Sequence, residues 1–291
     1  MTGFWQGVVE PGFFSSAPVH SAVAVGAIVA VVSGMTGVFT VIRGHSFAGE
    51  ALGDIGSTGG SASYLLGINP LIGFLGLSVL GAGLMSATGA RTRKARDVET
   101  GIVVGGALGL AALFLYLDTT RTSTTGAPVT ILFGSIFTVP SSTLPIVAVL
   151  GGVTLTILLA LYRMLLLTSL NPGLAAARGT SVRLVAVAYL ALLAVAVSLS
   201  AITIGTILST ALLIGPPATA LRLTDSPGRA TVLAAVIGVA STWLGILLAY
   251  DSDYWPRQHG WPASFLIVTI IVAGYLLARV FGRDIRQPAF G

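Results

Sequence analysis

Apolar residues in this chain fall in long runs separated by short polar breaks, not in the alternating or half-turn patterns of water-soluble elements. A helix crosses a bilayer core in about 20 apolar residues. By that measure the runs at 21–42, 71–90, 101–117, 144–167, 184–199, 201–221, 230–250 and 263–281 each predict a membrane helix. A ninth segment, 46–68, is weaker because it is rich in Gly and Ser and carries Glu50 and Asp54. That composition is the one expected of a broken or cavity-lining helix. The architecture predicted is all-α, a polytopic membrane bundle of eight or nine transmembrane segments. The apolar stretch 131–139 is too short to span and is expected to dip into the bundle or lie flat against it. No internal repeat divides the chain, so 1–291 reads as one transmembrane domain. Residues 1–20 form an external or interfacial lead-in, because Glu10, Pro11 and Pro18 interrupt them and no basic start of a signal peptide is present.

Composition supports the membrane reading. Of 291 residues, 54% are hydrophobic and 9% charged, with a mean hydropathy of +0.94, whereas soluble domains carry about 25% charged residues. The absence of cysteine removes disulfides, thiolate metal sites and catalytic thiols. The net charge of +5 is informative through its placement between apolar runs, which is that of a topology signal and not of a nucleic-acid-binding surface. If nine segments cross, 13 of the 15 Lys and Arg residues share one side, and only Arg121 and Arg257 fall on the other. The positive-inside rule then puts the C-terminus in the cytoplasm and the N-terminus outside. Eight crossings break this pattern. Trp255 and Trp261, in an external stretch, are placed as interfacial anchors.

The chemistry concentrates in 43–60. Glu50 and Asp54 are four residues apart, so on a helix they share a face about one turn apart. An acid at membrane depth costs roughly 2.5 to 3.5 kcal/mol, so two together face a partner, a polar cavity or a cation. Two plainer roles for them are capping a helix start and pairing with Arg43. His45, beside a basic helix end, is placed at the interface. Pro216-Pro217 interrupts an apolar run, freeing carbonyls and bending the helix. Gly101, Gly105 and Gly109, at four-residue spacing, predict close helix packing. The one lysine, Lys94, has no glycine-rich loop before it, so the chain has no P-loop of its own. His-Glu-x-x-His is absent as well, and a membrane enzyme is not expected.

Several stretches together resemble the permease subunits of bacterial ABC importers for manganese, zinc or iron. Arg43-Gly-His-Ser-Phe-Ala-Gly-Glu50-Ala-Leu-Gly-Asp54 is similar to that family's Arg-x-Ser helix end followed by Gly-Asp-Ala-(Leu/Ile)-Ser-His. Glu99-Thr-Gly-Ile-Val, Leu132-Phe-Gly-Ser-Ile136, Leu170-Asn-Pro-Gly-Leu-Ala-Ala-Ala-Arg-Gly179 and Ile204–Ala220 resemble further family motifs in the same order. The resemblance implies a type II ABC importer permease working by alternating access, with Glu50 and Asp54 at the positions of the family's metal-holding Asp and His. Replacing imidazole by carboxylate favours hard cations such as manganese, iron or even magnesium over zinc. It further implies that Leu174, Ala175, Ala176, Ala177, Arg178 and Gly179, within the cytoplasmic loop 168–183, form the helix that couples to the ATPase. The implied partners are a cytoplasmic ABC ATPase holding ATP and Mg, an extracellular metal-binding protein and a second permease subunit, in a bacterial cell membrane. No cofactor of its own is implied. The other readings of the residues are an ABC permease for a non-metal substrate and an ATP-independent secondary transporter using the same acids.

Overall fold

The computed structural model describes residues 13, 16–87, 93–121, 126–134, 136–252 and 260–281. Their regular structure is helical throughout: α1 (Ala17–Arg43), α2 (Ser46–Leu65), α3 (Pro70–Ala87), α4 (Arg93–Arg121), α5 (Gly126–Phe133), α6 (Leu144–Leu170), α7 (Pro172–Ala177), α8 (Val182–Ile204), α9 (Thr206–Leu223), α10 (Pro227–Ser252) and α11 (Ala263–Phe281). Two single 3₁₀ turns, Ile136–Thr138 and Ser141–Thr143, join α5 to α6. Proline opens α3, α7 and α10, where its missing N–H has no intrahelical acceptor to lose. Arg91, Trp255, Arg257, Arg283 and Arg286 lie outside the described residues, as do the side chains of Arg93, Lys94, Arg96, Glu99 and Arg121.

Among the described residues, eight helices are long and apolar enough to cross a membrane: α1, α3, α4, α6, α8, α9, α10 and α11. These are the eight runs read from hydropathy, with one shifted boundary. The break between the fifth and sixth falls at Gly205, between α8 and α9. The ninth segment is α2, continuous over 20 residues, or about 30 Å at 1.5 Å per residue. It runs antiparallel beside α3: Gly59 meets Gly73 near the connecting turn, Ser78 Oγ donates to the Leu52 carbonyl at 2.9 Å, and Gly81 faces Ile55 and Leu52 further along. α2 therefore lies alongside α3 over much of its length.

α1 and α8 form the centre, each with two thirds of its apolar window buried. Hydroxyl pairs join them: Ser33 to Ser200 at 2.6 Å and Thr40 Oγ1 to Tyr189 OH at 2.6 Å, all fully buried. Without water, such groups must find one another. α10 lies on the other side of α1, where Gly34 faces the Ala234 backbone and Gly238 faces Ala30. α3, α4, α6 and α11 present exposed Leu, Ile, Val and Phe outward, as lipid-facing helices do.

One expectation from sequence is met in a freed carbonyl, and one needs correction. α9 continues as one helix through Pro216 and Pro217. Pro217 cannot donate to the Leu213 carbonyl, and Gly37 of α1 lies directly against that oxygen, so the position that loses its helical bond is covered by a residue without a side chain. The glycines of α4 do not pack: a Cβ at Gly101, Gly105 or Gly109 would meet nothing within 4 Å, because this face of α4 is turned away from the described bundle. Stretch 131–139 does dip inward, with Ile131 and Ile136 each 2% exposed. There Gly134 (φ +71°) and Gly205 (φ +91°) approach so closely that neither accommodates a Cβ. Thr206 and Ser264 hydroxyls donate to the Ile131 and Phe133 carbonyls, satisfying the end of α5.

Candidate translocation site

α1 ends in a left-handed Gly44 (φ 64°, ψ 31°) whose N–H returns to the Thr40 and Val41 carbonyls, and α2 starts two residues later. Seen along α2, Glu50 and Asp54 lie about 6 and 12 Å from Ser46 at 1.5 Å per residue. The residue before each is glycine and is turned into the protein. A Cβ at Gly49 would come to 2.7 Å from Leu213 Cδ2 of α9, and one at Gly53 to 3.2 Å from Val197 Cγ1 of α8. The next two turns are held by α3 and α4, with Thr58 Oγ1 donating to the Ala107 carbonyl at 2.7 Å. α2 is thus clamped on its glycine face, while Phe47 and Glu50 are exposed and Asp54 is half-buried.

Neither carboxylate makes a hydrogen bond or ion pair with a described side chain. The pairing with Arg43 is not formed. Arg43 turns the opposite way, donating from Nε to Ser169 Oγ at 2.8 Å and from Nη2 to the Leu165 carbonyl at 3.2 Å and to Thr168 Oγ1. Its guanidinium carbon lies 5.0 Å from the centre of the Tyr189 ring. A cation here lies in the last turns of α6, where a helix attracts positive charge. His45, the residue before α2, stands against Tyr189 with ring centroids 5.9 Å apart. It is not part of a cluster with the acids: among the described residues no three His, Cys, Asp or Glu side chains come together. One face of α2 therefore offers two oxygen ligands and leaves the rest of any coordination sphere to other groups.

The other predicted site lies at the end of α6. Asn171 closes α6 and starts α7, its side chain accepting the Leu174 N–H at 2.9 Å. α7 begins at Pro172, two residues before the predicted stretch, and Arg178 and Gly179 form its cap, with Gly179 at φ +76°. Ala175 is fully buried and fastens the turn, while Leu174, Ala176, Ala177 and Arg178 are exposed. Sequence reasoning missed the attachment of Arg43, the last residue of α1, to the last turns of α6. A basic residue just before a helix-ending glycine was the available signal, but its acceptors lie more than 120 residues away.

Comparison with known proteins gives the lineage. The chain is 30% identical over 248 residues to the manganese transport system membrane protein MntC of Listeria innocua, covering 85% of each. It is 31% identical over 255 residues to the manganese import system permease protein ScaB of Streptococcus pneumoniae, covering 86% of each. The fold matches a chain of PsaBC from Streptococcus pneumoniae, solved in complex with a Fab, at a TM-score of 0.80 and 24% identity, over 100% of this chain and 98% of that one. The model of the ABC 3 transport family matches residues 16–282, and the chain belongs to that family.

Proposed function

We propose that this protein is the membrane permease subunit of an ABC importer, passing a hard divalent cation, manganese foremost, by alternating access. The observation that carries the reading is the unneutralised Glu50 and Asp54 pair on the open face of α2, in a chain whose relatives are named for manganese transport. Carboxylate oxygens suit manganese and iron better than zinc. Two of them hold an ion only briefly unless water or a second permease subunit completes the shell, and brief holding is what a pathway needs. The ends of α1, α3 and α6 and the starts of α2 and α8 meet at one end of the bundle, which we assign to the cytoplasm, with the C-terminus on the same side. There the exposed residues of α7, Leu174 to Arg178 with Gly179 behind them, dock on a separate ATPase, which binds ATP and Mg and shifts the populations of the two states. An external binding protein delivers the ion.

The test is ATP-driven uptake in vesicles carrying the permease and its ATPase, with manganese, iron, zinc and no metal compared. Accumulation of manganese that Glu50→Gln and Asp54→Asn each reduce by about 100-fold or more, with ATPase assembly intact, is the expected result; removing a charged ligand costs roughly 3 kcal/mol. Uptake that persists without ATP assigns the acids to a secondary transporter instead. Full uptake by both variants removes them from the pathway.

A further inference from the structure

At the same end of the bundle, on the side of Arg43 away from the carboxylates, lies a cavity of about 540 Å³. Two guanidiniums line it, Arg43 from α1 and Arg183 from the second position of α8, and His45 stands at its edge. No Asp or Glu is among its described lining residues. Arg183 is exposed and makes no hydrogen bond or ion pair with a described residue. Arg43 uses Nε and Nη2 on the end of α6 and leaves Nη1 without an acceptor among the described residues. Two like charges converging on one space without a counter-charge repel, and an anion between them reverses that cost.

The remaining groups narrow the ligand. The hydroxyls of Ser86, Thr168 and Ser169 give their protons to helix carbonyls at Gly83, Met164 and Leu165, so they brace the wall and Arg43 but have no proton to offer. The donors that line the cavity are then the two guanidiniums and the His45 imidazole, beside the start of α8, where Ser181 Oγ already takes the Leu184 N–H. Aliphatic side chains of Ile42, Met85, Val187 and Leu190 line the same cavity. A space that combines cationic donors with aliphatic carbon, at one end of a membrane bundle, matches a phosphodiester with its glycerol and first methylenes. We infer that this cavity binds the phosphate headgroup of an anionic membrane lipid, with Arg43 and Arg183 clasping the phosphate beside α7. The inference does not depend on the transported substrate.

The test uses the full chain, purified and stripped of lipid in detergent, titrated with short-chain phosphatidylglycerol, short-chain phosphatidylcholine and glycerol phosphate. Phosphatidylglycerol is expected to bind and raise the unfolding temperature, at least about tenfold tighter than either other probe. Arg183→Gln, which removes no internal contact, is expected to keep the lipid-free unfolding temperature of the parent and weaken phosphatidylglycerol about tenfold, and Arg183→Lys to recover most of that. Arg43→Gln is expected to weaken it as much or more. Equal binding of both lipids, or an Arg183→Gln titration identical to the parent's, overturns the site. Glycerol phosphate binding as tightly as phosphatidylglycerol overturns the lipid assignment.

Discussion

α2 and α4 are both glycine-rich, and the bundle uses their glycines in opposite ways. Each of the five in α2 has a neighbour where a Cβ would stand: Leu213 at Gly49, Val197 at Gly53, Ser78 at Gly56, Gly73 at Gly59 and Phe74 at Gly60. Those at 101, 105, 106 and 109 in α4 have none within 4 Å. The same residue type marks a helix sunk among four others in one case and a face open to its surroundings in the other. In lipid, helix association rests on close packing and not on expelling water. The filled glycines therefore bring the carboxylate-bearing helix deep into the protein, and the open ones do nothing comparable within a single copy of the chain.

Substitutions sharpen the contrast. The largest effect is expected from Gly59→Val, where the obstructing group is the Gly73 backbone, which cannot rotate away. A loss of about 3 kcal/mol or more, or no folded protein, should follow, read as the yield of monodisperse protein after solubilisation. Gly205→Ala comes next, combining a φ of +91° with the Gly134 backbone in contact. It should cost about 1 to 3 kcal/mol, measured as a lowered unfolding midpoint. Gly49→Ala meets only the tip of Leu213 and should cost about 1 kcal/mol, with Leu213→Ala added to relieve the clash; failure of the second change to relieve it would show that α2 cannot shift at all. Gly105→Ala should leave the midpoint within about 0.5 kcal/mol. A change in oligomeric state with that variant would turn the open face of α4 into an interface between copies and break the contrast.

What the sequence made legible follows the reach of each signal. Hydropathy is local, and it located all eight apolar helices, because a lipid-facing span needs nothing but its own residues to declare itself. α2 is too polar for that signal and shows in the sequence only as a weaker segment, rich in Gly and Ser, at 46–68. The Glu50 and Asp54 pair was visible because four-residue spacing on a helix is also local. The surroundings of that pair were not, since Leu213, Val197 and Gly73 reach it from other helices. The same limit explains the misread of Gly101, Gly105 and Gly109: spacing shows that a face is smooth, and only the fold shows whether anything lies on it. Arg43 is close in sequence to the acids and instead donates to Ser169, Thr168 and the Leu165 carbonyl, which reach it from α6 more than 120 residues away.

Asn171 closes α6 and opens α7 at once. One residue leaves no slack between a 27-residue rod and the short helix at its foot. The two helices meet through that single capping residue, with no flexible strap between them. Arg43 is bolted to the last turns of that rod, three positions ahead of the first residue of the helix that carries the acids.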